Sequence, residues 1–252
     1  MAPLARPSAA LVHSHVHVTA ALRTQIKTRD RVRDLAEVYT HEREVSAMLD
    51  LVANMFPTEG DPGNHDRKFL EPACGSGNFL EEILRRKLST VTVRRYGHGE
   101  RYEHRILRCL ASIYAVDIDS ENVNEARDRL RWVIASHVDN DLVSWSVSDG
   151  FASAVNTILA SNIQQGDTLS HARTIEFIEY KPGRSGTFTR SWSYLEERAA
   201  VEQLDLFSEP AAEPKRDDVP IHYGLLAEHP EPVTAKRKRS GAGNDAGKSQ
   251  PA

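Results

Sequence analysis

Residues 69–80 read FLEPACGSGNFL, and their reading decides the fold. Phe69 and Leu70 open the stretch as an apolar run suited to a buried strand, and Glu71 places an acid near its end. Gly75 and Gly77 then frame a tight turn, and the run FLEEILRRKL continues with the spacing of an amphipathic helix. A strand, a glycine turn and a helix let a backbone approach a nucleotide-type ligand at a helix N-terminus. The spacing excludes two common ligands. A dinucleotide fingerprint needs a third glycine where Leu80 stands, and a phosphate-cradling loop needs Lys-Ser or Lys-Thr, which does not follow. An acid before the turn repels phosphate and attracts an ammonium group.

S-adenosylmethionine (SAM) carries an ammonium and a sulfonium and no phosphate. The run EPACGSGNFL resembles the SAM-binding motif of the adenine-N6 DNA methyltransferases of restriction–modification systems, Asp/Asn-Pro-Ala-Cys-Gly-Ser-Gly-x-Phe/Leu-Leu, and departs from it only at Glu71. The resemblance implies an α/β, Rossmann-like SAM-dependent methyltransferase domain. It implies a cofactor site built from Glu71, Pro72, Ala73, Cys74, Gly75, Gly77, Asn78 and Phe79.

Three further segments resemble family motifs, in the family's order. YAVDID resembles the second strand, and implies Asp117 as ribose ligand and Ile118 as the adenine's packing partner. A carboxylate offers two acceptor oxygens for a ribose diol. Asp119 shapes the turn into the next helix. Asp117 lies about forty residues after Gly77 where a minimal unit gives about twenty, and an insertion over 90–110 accounts for the surplus. NIQQGDTL resembles the third motif and implies Asp167 as acceptor for the adenine amino group. Upstream, Tyr39 and Thr40 match the Phe/Tyr-Thr-Pro element, with His41 in place of proline. Thr40 then either binds the SAM carboxylate or caps the helix after it.

One motif is missing. The family holds a flipped adenine with an Asp/Asn-Pro-Pro-Tyr/Phe tetrapeptide, and this chain has no Pro-Pro pair. No catalytic residue is therefore assigned. The expectation is an incomplete methyltransferase domain, acting on DNA with a second chain that supplies the catalytic loop and target recognition. A catalytically silent SAM-binding regulatory or interaction protein is the alternative. Methylation of a small molecule or a protein is a third reading, and a structural protein with a fortuitous motif a fourth.

Length and composition bound these readings. The 252 residues suit one domain with tails, here 1–29 as an arm, 30–197 as the domain and 198–252 as a low-complexity tail. An apolar fraction of 40% suffices for a core, and the net charge of −4 gives no global attraction to nucleic acid. Two cysteines, Cys74 and Cys109, make no disulfide framework, and no apolar run of membrane-spanning length occurs, so a cytoplasmic chain is expected. His13, His15 and His17 alternate but lack companion ligands, so no metal site is assigned.

The pattern predicts helices over 30–55, 78–89, 102–110, 121–138 (capped by Ser120) and 150–160. It predicts strands over 68–73, 112–118 and 162–167, and a hairpin over 174–194. Residues 90–101 read as loop. In the hairpin, Phe188, Trp192 and Tyr194 with Arg184 and Arg190 fit either a core-packed strand or a nucleic-acid surface, the core reading being preferred. The run Lys236-Arg237-Lys238-Arg239 either adds non-specific DNA affinity or is a solvated tail.

Overall fold

A computed structural model describes residues 40–141, 146–195 and 215–235. The expected arm and the run Lys236-Arg237-Lys238-Arg239 lie outside the described residues, as do His13, His15, His17 and Tyr39. The chain is mixed α/β, with a three-stranded parallel sheet and a second, antiparallel sheet built on a hairpin.

The parallel sheet has the order β1-β2-β3, with β1 at Phe69–Glu71, β2 at Ile113–Asp117 and β3 at Ile163–Gln165. The central strand IYAVD is buried along its whole length, as a parallel strand covered on both faces must be. Alternation sends Ile113 and Ala115 into the main core, while Tyr114 and Val116 meet Ile175 and Phe177 on the other face.

Five longer helices pack around this sheet: α1 (Glu42–Asp50), α2 (Asn78–Leu88), α4 (Glu100–Ala111), α5 (Ser120–Asp141) and α6 (Asp149–Asn162). On α2 the buried positions Leu80, Ile83, Leu84 and Leu88 recur at three- and four-residue spacing and form one apolar stripe. The segment expected as loop contains a short helix, α3 (Val93–Tyr96), capped by the Thr92 side chain. The helix expected over 30–55 ends at Asp50, and Leu51 and Val52 lead into a 3-10 turn. Ser120 is the first residue of α5 rather than its cap. The Asp119 carboxylate performs that role, accepting the Glu121 N–H at 2.8 Å.

The hairpin joins β4 (Glu176–Pro182) to β5 (Thr187–Tyr194) in antiparallel register, with Tyr180 opposite Arg190. The structure divides the earlier choice, with Tyr194 49% exposed and Arg184 exposed in the loop. Phe188, Arg190 and Trp192 are buried, so these groups belong to a core rather than to an exposed stacking surface.

The domain boundary expected at residue 197 needs correction. Residues 215–235 return to the hairpin as a strap, and β6 (Ile221–His222) pairs with β5. Tyr223 and Leu226 enter the main core, and Gly150 and Gly224 meet so closely that a Cβ on Gly150 would lie 2.6 Å from the Gly224 Cα. A buried ion pair fastens the strap. Arg190 donates to Asp217 from Nε at 2.9 Å and Nη2 at 3.0 Å, with 1% and 0% of the two side chains exposed. Arg190 also donates to the carbonyls of His229 and Glu231, and Asp217 accepts the Val233 N–H, so the pair leaves few hydrogen-bonding positions unused.

Candidate functional site at the carboxyl ends of the parallel strands

The glycine turn leaves β1 and enters α2 with two left-handed residues, Gly75 at φ 52° and Gly77 at φ 92°. The two differ in what surrounds them. A Cβ on Gly77 would lie 2.9 Å from the backbone and side chain of Ala126, so Gly77 is required for α2 to pack on α5. A Cβ on Gly75 would meet nothing within 4 Å, so the backbone there faces open space. Gly75 is therefore the more open of the two positions.

Asp117 ties the turn to β2. Its Oδ2 accepts the Gly75 N–H at 2.8 Å, across forty-two residues of sequence. Its Oδ1 accepts the Asp119 N–H at 3.0 Å and the Asn122 side-chain amide at 3.1 Å. The carboxylate is 8% exposed, so its first role is to organise the turn, and three of its roughly four acceptor positions are used. Ile118, next along the chain, stands 58% exposed at the strand end.

The segment after β3 joins the same end of the sheet. The Gly166 N–H donates to the Asp117 carbonyl at 2.9 Å, and the Thr168 hydroxyl donates to the Pro72 carbonyl at 3.2 Å. Asp167 accepts the N–H groups of Leu169 and Ser170 through Oδ1. Hydrogen bonds from the Ser170 backbone and side chain, then from the Leu169 N–H, hold its carboxyl below the usual range. Leu169 is almost wholly exposed beside it.

Thr40 reaches the turn from the other side. Its carbonyl accepts the Asn78 side-chain amide at 3.2 Å. The N-cap of α1 is His41, with the Glu44 carboxylate accepting the His41 N–H at 3.2 Å, so the capping role proposed for Thr40 does not hold. Glu71 is half-buried and accepts the Ala73 N–H at 3.3 Å. Burial pushes its carboxyl up, against that hydrogen bond. Cys74 is buried, and burial, with Asp117 and Glu71 nearby, pushes its thiol up to about 12. It stays protonated near neutral pH and is a packing residue, not a nucleophile. Pro72 and Ala73 are exposed on the turn, and Phe79 packs against the core.

Sequence reasoning missed Asn122, Thr168 and Gln165, whose side chain donates to the Ile118 carbonyl at 3.2 Å. Thr168 lies within the NIQQGDTL run, which could have signalled it; Asn122 carries no pattern. A groove of about 290 Å³ is not centred here. It runs between α1 and α2, and shares only Asn78 with the turn; Glu81, Arg85 and Arg129 fill it with ion pairs.

On its outer side β1 pairs with no strand among the described residues, and Leu70 is 49% exposed. Among the described residues no cluster of histidine, cysteine and carboxylate could hold a metal, and no helix is long and apolar enough to cross a membrane. Comparison with family models, with curated proteins and with solved structures finds no match.

Proposed function

We propose that this chain is the SAM-binding component of an adenine-N6-type DNA methyltransferase, with a Rossmann-like cofactor domain whose acceptor-holding half resides on a second chain. The observation that carries the reading is the convergence of four distant segments on one open turn. Asn78 donates to the Thr40 carbonyl, Gly75 donates to Asp117, and the segment carrying Asp167 joins through Gly166 to the Asp117 carbonyl and through Thr168 to the Pro72 carbonyl, with empty space over Gly75. This is the crevice beyond the carboxyl ends of parallel strands where nucleotide-like ligands bind.

The residues fit SAM in kind. Glu71 attracts an ammonium, the exposed Ile118 and Leu169 offer apolar contact to a purine, and the Asp167 carboxylate is an acceptor of the kind an amino hydrogen needs. Asp117 takes the ribose diol through its remaining lone pair or by sharing the Gly75 contact. The cofactor supplies the electrophilic methyl when bound. No acceptor-binding tetrapeptide occurs in the chain, and the outer edge of β1 carries no further strand among the described residues. Both observations favour a divided or silent system over a self-sufficient enzyme.

A thermal-shift panel tests the reading. SAM and S-adenosylhomocysteine raise the melting temperature of the full chain increasingly with ligand concentration, while NAD and ATP do not. Equal shifts from all four, or from none, would reject a SAM-selective site.

A further inference from the structure

A second groove, of about 180 Å³, lies between α4 and the hairpin loop, at the end of the sheet opposite the glycine turn. It is lined by Arg101, Arg105 and Arg108 from one face of α4, with Glu100 at the start of that helix, and by Gly183, Ser185 and Gly186 of the loop. The three arginines stand at i, i+4 and i+7, so the first two lie about 6 Å apart along the helix axis. Their charges are unequally matched. Arg108 is paired with Asp66 through two hydrogen bonds, and Glu100 lies 3.5 Å from His222. Arg101 and Arg105 have no carboxylate partner among the described residues.

Arg105 is half-buried, with its guanidinium 4.8 Å above the Tyr96 ring. That stacking fixes the plane of the group and leaves its N–H donors unspent. Burial first, and Arg108 second, act against its charge, so a bound anion would relieve both. Arg94 and Arg95 flank Tyr96 on α3, and Arg184 is exposed in the hairpin loop between the groove-lining residues. The whole chain is acidic, at −4, so this concentration of arginine is local and does not follow from composition. Gly186 forms the floor: a Cβ there would lie 2.7 Å from the His222 ring, so the loop cannot fill the groove with a side chain.

We infer that this groove is a docking site for the phosphodiester backbone of nucleic acid, reading charge and not sequence. Planar guanidinium groups match phosphate oxygens in a two-pronged way. A row of three arginines along α4 suits repeated phosphates better than a single small anion. The site anchors DNA away from the cofactor turn. It deepens the DNA part of the proposed function, yet its failure would leave the SAM titration unchanged.

The test is fluorescence anisotropy of the full chain with a labelled duplex of arbitrary sequence, over a salt series. The wild type binds at low salt, and the Arg101→Ala/Arg105→Ala variant loses about tenfold in affinity, with a log K against log salt slope shallower by about two. Arg101→Ala alone, an exposed change that leaves the fold intact, gives about half that slope change. Absence of binding by the wild type, or unchanged affinity and slope in both variants, would overturn the site and, in the second case, move binding elsewhere. Displacement of the duplex by inorganic phosphate at constant ionic strength, or by polyglutamate as readily as by unlabelled DNA, would also overturn it.

Discussion

The two ends of this molecule spend their polar groups differently. At the glycine turn, hydrogen bonds run around an opening: Asp117 holds the turn, Thr168 and Asn78 tether neighbouring segments, and nothing occupies the space above Gly75. At the strap, Arg190 and Asp217 fill one another's valences and those of nearby backbone. The first arrangement holds a shape around absent contacts. The second closes a core. Buried charges alone therefore do not mark a functional site; what distinguishes one is preorganised polar groups with unfilled space beside them.

Perturbations at the two ends should separate stability from binding. Asp217→Ala leaves Arg190 buried without its counter-ion and should cost about 3–5 kcal/mol, read as a lower urea midpoint, with SAM affinity of the folded fraction unchanged. A loss of affinity there would dissolve the distinction between the ends. Gly77→Ala follows, because a left-handed backbone and contact with Ala126 add to about 2–4 kcal/mol. Gly75→Ala costs only about 1–2 kcal/mol of backbone strain, yet its Cβ enters the open space, so cofactor binding falls far more than stability does.

The pH dependence is a milder probe. Burial depresses His65 and His104, with nearby arginines adding to the effect, to about 4 from the ordinary 6.5. The unfolded chain then takes up protons that the folded chain refuses, so the stability from these groups is complete above pH 6.5 and lost as pH falls towards 4. Between pH 7 and 5.5 each histidine should remove about 1 kcal/mol, measurable by urea unfolding at the two pH values. His104→Asn, which cannot ionise, should remove its own share of that slope and leave those of His65 and of His137, which burial also depresses.

The glycine-turn segment and the hairpin were legible in the sequence and the strap was not, for a physical reason. A strand, a left-handed glycine turn and a helix start constrain consecutive residues, and FLEPACGSGNFL therefore carries its constraint locally. The strand end at Asp117 and the GDTL run do the same. The ion pair between Arg190 and Asp217 joins positions with no local pattern, across a composition that reads as tail. The strap was missed because its apolar content, Ile221, Tyr223 and Leu226, is sparse and gains meaning only from the groove it fills on α6 and β5. The helix caps erred by one residue at both Thr40 and Ser120, since capping depends on backbone angles that neighbouring polar residues can each satisfy.

The central claim is that the open turn is a SAM site. Calorimetric titration of the full chain with SAM, beside the Ile118→Asp variant, tests it most directly. Ile118 is exposed and outside the core, so the variant should melt with the wild type, and a SAM complex should need its apolar surface. The account predicts saturable one-site binding by the wild type, lost in Ile118→Asp at an unchanged melting temperature. No binding by the wild type, or equal binding by both proteins, would contradict it.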